Sequence, residues 1–426
     1  MIQEIKIKNF RSFKDEVTFS FEASNDKFAE DSQVVQINEN VRLLRFAVVY
    51  GYNASGKSNL LDAFDFLYKF WFYKANDMDE RTRTTPFKLD KFSPTEPTKI
   101  ELIFYVEDTK YSYLLELDEH QVYLEKLSYY KSVQPTKLFE RRFENGQSVI
   151  DFNLKINNIV KEKIVVECLK NMSFFAARNQ VNASIPEIDA AMNWMKTKVL
   201  HTIFPTTNLL EYAQRRILRD DTLKIYMLDF LREADFNITN FKTDVINQPY
   251  SKEVIEMVLK SDELSEDEKE FVKQTPLNKK IFKTDFEHTV ENDRGIESYV
   301  LTLSNREESR GTLRTLGIEA ALYTAILEKA FIAIDEIETS FHPKLLEKIL
   351  FEYLRIHTRS QLLVTTHNDG LLDLVDDLIR KDSVWFTEKK KTGVTDLYKL
   401  TDFRGVNRLS SIRDAYRNKR FGATMN

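Results

Sequence analysis

Cysteine is almost absent from this chain of 426 residues, which contains only Cys168. A single cysteine excludes internal disulfides and every metal site that needs several thiolates. Apolar runs are short and interrupted, so the sequence predicts no segment that spans a bilayer. The opening residues alternate in polarity like a strand and show no signal-peptide core. We therefore expect a cytoplasmic protein that does not act in a membrane.

A dominant charge of one sign is also missing. The chain has 62 Lys and Arg residues against 67 Asp and Glu residues, for a net charge of −5. This balance argues against a wholly basic nucleic-acid binder but leaves room for a local basic groove. The 42% hydrophobic and 30% charged content is ordinary for a globular protein, and the length favours two or three lobes.

Glycine is scarce, at 10 residues in 426, so two glycines at a meaningful spacing are informative. The apolar run Phe46–Tyr50 leads into Gly51-Tyr-Asn-Ala-Ser-Gly-Lys-Ser58. This pattern, G-x-x-x-x-G-K-[ST], lets backbone N–H groups wrap a polyphosphate, with the lysine on the β/γ-phosphates and the serine hydroxyl on Mg²⁺. Helical spacing after it predicts a helix N-terminus beneath the phosphates.

We prefer this interpretation to a plain glycine turn between a strand and a helix. The sequence thus predicts a site for a nucleoside triphosphate. The residues expected to bind it are Gly51, Asn53, Ala54, Ser55, Gly56, Lys57, Ser58 and Asn59.

An apolar run near the C-terminal third, Phe331–Ile334, ends in two carboxylates, Asp335 and Glu336. At a strand tip, Asp335 can hold Mg²⁺ together with Ser58, and Glu336 can polarise the attacking water as a general base. The alternative is a solvated acidic turn, but the P-loop elsewhere in the chain favours the catalytic interpretation.

Two further segments complete the predicted site. The apolar run Gln361–Thr365 precedes His367, and a parallel sheet would bring its end beside that of the acidic strand. We expect His367 to contact the γ-phosphate and the water that attacks it, although a lone histidine after a strand is usually structural. Ser309 and Gly311 precede a predicted helix, Thr312–Glu328, with Ser309 as its N-cap and the helix end as a second anion site; a plain cap is the alternative.

The pattern along the chain predicts an α/β fold in three parts. Residues 1–152 carry strands, including one over Leu43–Tyr50, the P-loop and an antiparallel meander. Residues 153–280 contain no glycine and show apolar residues at helical spacing, which predicts a mostly helical insertion. Residues 281–426 return to strands and a βαβ rhythm, which predicts a parallel sheet.

Taken in chain order, these residues resemble the ABC-type ATPases, and specifically their SMC-like and OLD-like branch. The quoted motifs are a Walker A at Gly51–Ser58, a signature at Ser309–Thr312, a Walker B at Phe331–Glu336, a D-loop at Ile337–Ser340 and a switch histidine at His367. The opening stretch Ile5–Phe13 is similar to the first strand of that branch. The signature departs from the transporter form L-S-G-G-Q, and no glutamine is assigned to the Q-loop.

The resemblance implies an ABC-type P-loop ATPase head with an antiparallel β subdomain, ATP and Mg²⁺ as cofactors, and Glu336 and His367 as catalytic residues. In this family the signature of one subunit caps the ATP held by the P-loop of another. It therefore implies a homodimer or higher homo-oligomer, in which Ser309 acts on a neighbouring subunit and hydrolysis releases the assembly as a conformational switch.

The missing features also narrow the biology. One cysteine and no heptads exclude a zinc-hook repair ATPase, and the short basic segment after His367 leads us to expect no nuclease domain in this chain. What remains resembles the stand-alone ATPases of bacterial anti-phage systems, which control a separate effector such as a TOPRIM or HNH nuclease. One alternative is a RecF-like repair ATPase that binds DNA through Arg215, Arg216 and Arg219, for which a solvated helix face is the simpler interpretation. Another is an ATP-driven structural scaffold.

Overall fold

The structure, a computed structural model, describes residues 1–234, 237–260, 269–270, 272, 278–292, 295–304 and 307–424. It divides into two compact units. The first combines Met1–Thr207 with Thr324–Asn426, and the second is Asn208–Tyr323. Across the described ranges, no helix is both long and apolar enough to cross a membrane.

The elements are numbered in chain order. The strands are β1 (Ile2–Lys8), β2 (Val17–Ser20), β3 (Val34–Asn38), β4 (Val41–Leu44), β5 (Phe46–Tyr50), β6 (Thr98–Val106), β7 (Thr109–Leu117), β8 (Val122–Tyr130), β9 (Thr136–Glu144), β10 (Gln147–Phe152), β11 (Ile238–Pro249), β12 (Asn278–Asn292), β13 (Gly295–Ser304), β14 (Phe331–Ile334), β15 (Gln361–Thr366), β16 (Val384–Lys389) and β17 (Thr395–Lys399). The helices are α1 (Glu30–Gln33), α2 (Lys57–Phe72), α3 (Asn158–Glu167), α4 (Phe174–Arg178), α5 (Pro186–Lys198), α6 (Leu209–Ile217), α7 (Asp221–Glu233), α8 (Lys252–Leu259), α9 (Arg310–Glu328), α10 (Pro343–Arg355) and α11 (Ile412–Arg417). Short 3₁₀ turns lie at Ser93–Thr95, Asp369–Leu374, Lys381–Ser383, Leu400–Asp402 and Val406–Arg408.

The first unit contains two principal sheets. An antiparallel sheet has the order β10-β9-β8-β7-β6-β1-β2, and its alternating apolar residues face a shared core. The other sheet has the order β14-β15-β5-β16-β17, with β14, β15, β5 and β16 parallel and β17 antiparallel. Every residue of β5, β14 and β15 is buried, as expected for parallel strands covered on both faces. The predicted α/β fold, with a parallel sheet and an antiparallel β subdomain, is confirmed.

The strand order positions the site. Strand β15 lies between β14 and β5, so the ends of the acidic strand, the histidine strand and the P-loop strand meet at one edge of the sheet. Two isolated parallel bridges lie alongside β14, since Val199 pairs with Phe331 and Ile203 with Ile334.

The second unit is built on the antiparallel sheet β11-β12-β13. Its core brings together α6, α7, β11, β12 and the first part of α9. The buried residues include Leu223, Met227, Phe241, Phe286 and Leu316.

The predicted boundaries of the insertion, 153 and 280, differ from those of the compact units. Residues 153–207 belong to the first unit because α3, α4 and α5 bury Ile164, Phe174 and Trp194 in the core of the antiparallel sheet. Residues 281–323 belong to the second unit, because β12 pairs with β11 along most of its length.

Among its described residues, the segment predicted as mostly helical contains the six helices α3 to α8. It also contains the long strand β11, which the helical spacing did not predict. The predicted strand Leu43–Tyr50 is divided into β4 and β5 at Arg45, whose buried guanidinium donates to the carbonyl of Ser32 (2.7 Å). Parts of the predicted insertion, 261–268, 271 and 273–277, lie outside the described residues.

Candidate active site

The loop between β5 and α2 is the predicted phosphate-binding loop, and its glycines are required sterically. Gly56, the N-cap of α2, has a φ of +109°, a region that side chains disfavour. A Cβ on Gly56 would lie 2.5 Å from Thr395 Oγ1, and one on Gly51 would lie 2.5 Å from Thr387 Oγ1. The loop therefore packs against β16 and β17 so closely that a side chain at either position would clash.

A set of hydroxyl groups that the sequence analysis did not identify ties this loop in place. The hydroxyls of Ser55 and Thr387 share a hydrogen bond of 2.7 Å. The hydroxyl of Thr395 lies 2.9 Å from the carbonyl oxygen of Ser55 and 2.8 Å from Ser12 Oγ, and Ser12 Oγ accepts from Asn59 Nδ2 (2.6 Å). Ser12 belongs to the stretch already noted near the N-terminus, but Thr387 and Thr395 follow no motif.

Lys57 is almost fully buried, with 6% of its surface exposed. Its Nζ donates to the carbonyl of Gly51 (2.7 Å) and to that of the next residue (3.2 Å). Burial lowers the pKa of Lys57, while the negative charges of Asp335, Glu338 and Glu336 act in the opposite direction. The cation is thus folded back on its own loop, within the field of three carboxylates.

The other predicted loop residues are exposed or half-buried. Asn53 and Ala54 are exposed at the tip of the loop, and Ala54 has a left-handed φ of +65°. Ser58 and Asn59 lie half-buried in the first turn of α2. The N–H groups of a first helical turn have no partners within the helix and favour an anion.

The acidic residues follow β14 directly. Asp335 is 5% exposed, and its N–H donates to the carbonyl of Ile203 (2.8 Å). The hydroxyl of Thr365, on the neighbouring strand β15, donates to Asp335 Oδ1 (2.5 Å) and accepts from the N–H of Glu336 (2.9 Å). Glu336 is half-buried and has a left-handed φ of +46°. One threonine therefore binds the carboxylate of Asp335 and the backbone of Glu336.

His367 follows β15 at the same edge of the sheet, as the parallel pairing of β14 and β15 requires. Its side chain is 52% exposed. Both its backbone N–H (2.7 Å) and its Nδ1 (2.8 Å) contact Glu338 Oε1. Glu338 lies in the stretch predicted to be a D-loop, Ile337–Ser340, and the motifs predicted no separate role for it.

The donor set fits a magnesium ion only when a nucleotide contributes ligands. No group of three or more His, Cys, Asp or Glu side chains that could hold a metal occurs among the residues that the structure describes. Mg²⁺ is usually held by one or two carboxylates, substrate phosphates and water. Asp335 and Ser58 supply this type of oxygen, and within the described chain the buried Oε2 of Glu338 has no hydrogen-bond partner.

The predicted signature residues belong to the second unit, whereas the P-loop belongs to the first. Ser309 precedes α9, and its Oγ accepts from the N–H of Thr312 (3.0 Å), so the predicted helix cap is present. Gly311 is the second residue of α9. Glu308 accepts from the N–H of Ser309 (3.2 Å) and contacts His288 Nε2 (2.6 Å).

The P-loop, the acidic strand and the histidine strand meet at one edge of a parallel sheet, with an antiparallel sheet in the same unit. This arrangement defines a P-loop nucleotide-binding domain. The profile of the family described as "AAA domain, putative AbiEii toxin, Type IV TA system" matches residues 46–155 and 193–373. The chain belongs to this family. No protein of curated function matches the sequence.

Three solved structures show a loose likeness to this chain. The SMC head domain from Thermotoga maritima is 13% identical, with a TM-score of 0.41, over 93% of this chain and 98% of its own. An Smc head domain with an extended coiled coil, bound to the C-terminal domain of ScpA and derived from Pyrococcus furiosus, is 12% identical, with a TM-score of 0.42, over 98% of each chain. An SmcHead bound to the C-winged helix domain of ScpA is 12% identical, with a TM-score of 0.39, over 98% of this chain and 99% of its own.

Proposed function

We propose that this chain hydrolyses ATP to ADP and phosphate and uses the reaction as a conformational switch. The observation that carries the proposal is the meeting of the P-loop with Asp335, Glu336 and His367 at one sheet edge. The loop N–H groups and Lys57 bind the phosphates, and Ser58 and Asp335 hold Mg²⁺.

Catalysis in this proposal depends on positioning and charge. Glu336 accepts a proton from the attacking water, His367 contacts the γ-phosphate, and Lys57 stabilises the negative charge on the phosphate oxygens. The metal ion, when bound with the nucleotide, neutralises part of the same charge.

The test compares three variants in ATP binding and turnover. Lys57→Ala should abolish ATP binding, because the motif loses its cation. Glu336→Gln should bind ATP but hydrolyse it at least ~100-fold more slowly, as loss of a general base predicts. Glu347→Gln, an exposed position on α10, is the matched control and should behave like the unaltered protein. Normal ATP affinity in Lys57→Ala would contradict the nucleotide site, and normal turnover in Glu336→Gln would assign the base to another residue.

We further propose that the protein acts as a homodimer or higher homo-oligomer, with ATP between subunits. Two observations support this arrangement. Ser309 caps a long helix, whose N-terminus favours an anion. It also belongs to a different compact unit from the P-loop. In the oligomer, Ser309 and Gly311 contact the ATP that is bound to a neighbouring subunit.

In the cell, we propose that this ATPase is the cytoplasmic sensor or regulator of an anti-phage defence system and controls a separate nuclease or toxin. The family description, which names a toxin and a Type IV TA system, supports a role of this kind. The test is to tag the protein in its native operon, purify it with ATP and identify the co-purifying proteins by mass spectrometry. A stoichiometric nuclease or toxin is the expected result. Repair or replication proteins with bound DNA would favour a RecF-like role instead.

One observation, a basic groove in the second unit, favours the alternative of a RecF-like ATPase that binds DNA. Arg215 and Arg219 line it together with Lys280 and Phe282, and its volume is about 500 Å³. Arg215 lies 5.2 Å from the centre of the Phe282 ring. Cations beside an aromatic face are suited to nucleic acid. Arg216, the third arginine of the prediction, is half-buried and does not line this groove.

This second candidate predicts salt-dependent binding of DNA. Arg219→Glu and Lys280→Glu should weaken the binding of fluorescent duplex DNA and reduce its dependence on salt, because each removes a phosphate contact. Lys242→Glu is the matched control, since Lys242 is exposed and alternates to the other face of β11 from Val245, which lines the groove. Equal affinity for DNA in the unaltered protein and all three variants would contradict DNA binding by the groove.

A further inference from the structure

Glu338 contacts His367 at the candidate site, and the proposed catalytic roles do not include this contact. Its side chain is 10% exposed, and one of its oxygens, Oε1, lies 2.7 Å from the backbone nitrogen of His367 and 2.8 Å from its Nδ1. Backbone and ring of the histidine are thus held by the same atom. Glu338 lies two residues after Glu336, so the same short turn carries the proposed base and the group that holds the histidine.

This contact determines which ring nitrogen carries the proton. An ionised carboxylate only accepts hydrogen bonds, so Nδ1 of His367 must be the protonated nitrogen. In a neutral ring, Nε2 is then the nitrogen with a free lone pair, and in a charged ring it is a second donor. Because the ring is half exposed and held through Nδ1, Nε2 remains available to a ligand.

The second oxygen of Glu338 suggests an alternative role, in which this carboxylate serves the metal and phosphates instead of His367. Oε2 is buried, has no partner among the described residues, and belongs to a carboxylate whose charge acts on Lys57. A carboxylate that mainly served the metal and phosphates would affect nucleotide binding. A carboxylate that served His367 would affect turnover, and only when the histidine is present.

We propose that Glu338 is a positioning residue that holds His367 in the Nδ1-protonated form, with Nε2 presented to the γ-phosphate of ATP. This inference rests on the proposed ATPase function. The histidine is oriented here in the way that carboxylates orient catalytic and metal-binding histidines in general, through the nitrogen that does not take part in the chemistry.

A double-mutant cycle tests the proposal. Glu338→Ala should lower the turnover number about 10–100-fold, the usual cost of losing such an outer partner, and leave the Kd for ATP within about threefold. The variant Glu338→Ala/His367→Ala should be no slower than His367→Ala alone, because Glu338 acts through the histidine. Glu347→Ala, at an exposed position of α10, is the control for removing a glutamate.

A second measurement does not depend on whether Glu338→Ala folds. In the intact protein without nucleotide, ¹⁵N NMR of the histidine rings should show His367 protonated at Nδ1, with its signal assigned by its loss in His367→Ala. Finding the proton on Nε2 of a neutral ring would overturn the proposal. The proposal would also be overturned if the losses of turnover in Glu338→Ala and His367→Ala multiplied in the double variant, or if Glu338→Ala lost much of its ATP affinity. Failure of the ATPase function itself would appear separately, as absence of turnover in the unaltered protein.

Discussion

The hydroxyl of Thr365 donates a hydrogen bond to Asp335 Oδ1 over 2.5 Å and accepts one from the N–H of Glu336 over 2.9 Å. Thr365 lies on β15, and the two acidic residues follow β14, its parallel neighbour. A single buried side chain therefore holds the proposed metal ligand and the residue that carries the proposed base. The parallel pairing of the two strands thus fixes the carboxylate of Asp335 and the backbone of Glu336 through one hydroxyl.

Replacing Thr365 by valine should impair catalysis without disturbing the sheet. Valine has a similar shape, but it leaves Asp335 and the N–H of Glu336 without their partner. We expect turnover to fall about 10-fold and the Mg²⁺ concentration for half-maximal activity to rise, because partners of a metal ligand commonly contribute this much. The measurement is ATP hydrolysis as a function of Mg²⁺. Thr365→Ser retains the hydroxyl and should keep most of the activity; equal loss in both variants would point to packing.

Gly56→Ala should lower both stability and ATP affinity because its Cβ would clash, and Gly146→Ala can separate this clash from backbone strain. Gly56 and Gly146 both have left-handed backbones, with φ of +109° and +80°. A Cβ on Gly146 meets nothing within 4 Å, whereas a Cβ on Gly56 would meet Thr395 at 2.5 Å. Gly146→Ala should therefore cost only the backbone strain, about 1–2 kcal/mol, and keep ATP affinity. Gly56→Ala should cost more and weaken ATP binding. Urea denaturation and ATP titration of both variants check this, and equal behaviour would show that the contact with Thr395 is unimportant.

The motif residues could be predicted because each motif is contiguous and its chemistry restricts the residues. Lys57 and Asp335 are of this kind, since a polyphosphate loop and an acidic strand end can be read locally. Thr365 and Thr395 could not be predicted, because a threonine gains its role here from contacts with residues far away in the chain. The same limit explains the boundaries of the insertion: periodicity identifies a helix but not the core against which it packs.

A buried ion pair should hold residues 153–207 on the antiparallel sheet. Glu125 and Arg141 are both fully buried, and 3.1 Å separates Glu125 Oε2 from Arg141 Nη1. Arg141 also donates to the carbonyl of Met172 (2.5 Å), while Glu125 accepts from the N–H of Phe174 (2.8 Å). Glu125→Gln leaves the arginine charge buried and uncompensated, so the free energy of unfolding should fall by about 3 kcal/mol or more.

Urea denaturation measures this loss. The control is Glu116→Gln, on the partly exposed face of β7, where the pair with Lys99 (3.5 Å) should contribute less than about 1 kcal/mol. Similar midpoints for the two variants would contradict a structural role for the buried pair.

Asp90 should make a contribution to the free energy of unfolding that depends on pH. Hydrogen bonds from Lys14, and then from the N–H of Ser93, hold the pKa of Asp90 well below its usual range. A carboxyl whose pKa is depressed by folding stabilises the protein above its unfolded pKa, about 4, and loses this contribution as the pH falls towards the folded pKa. Asp90→Asn should thus be less stable than the unaltered protein at neutral pH, and the difference should shrink below pH about 4. Denaturation midpoints across this pH range check the prediction; a constant difference would assign the effect to uncharged contacts.

If Ser309 acts on the ATP of a neighbouring subunit, two inactive variants should complement each other when they are mixed. Ser309→Arg should abolish hydrolysis but leave ATP binding intact, because the P-loop is in a different unit and the change affects a neighbour's nucleotide. Lys57→Ala should be inactive because it binds no ATP. A mixed dimer contains one complete site, made of the P-loop from the Ser309→Arg subunit and the signature from the Lys57→Ala subunit. Mixing the two inactive proteins should therefore restore part of the turnover, and each mixed dimer should reach up to about half the turnover of an unaltered dimer if the two sites act independently. If the mixture stays inactive although the mixed dimer forms, Ser309 does not complete a neighbouring site.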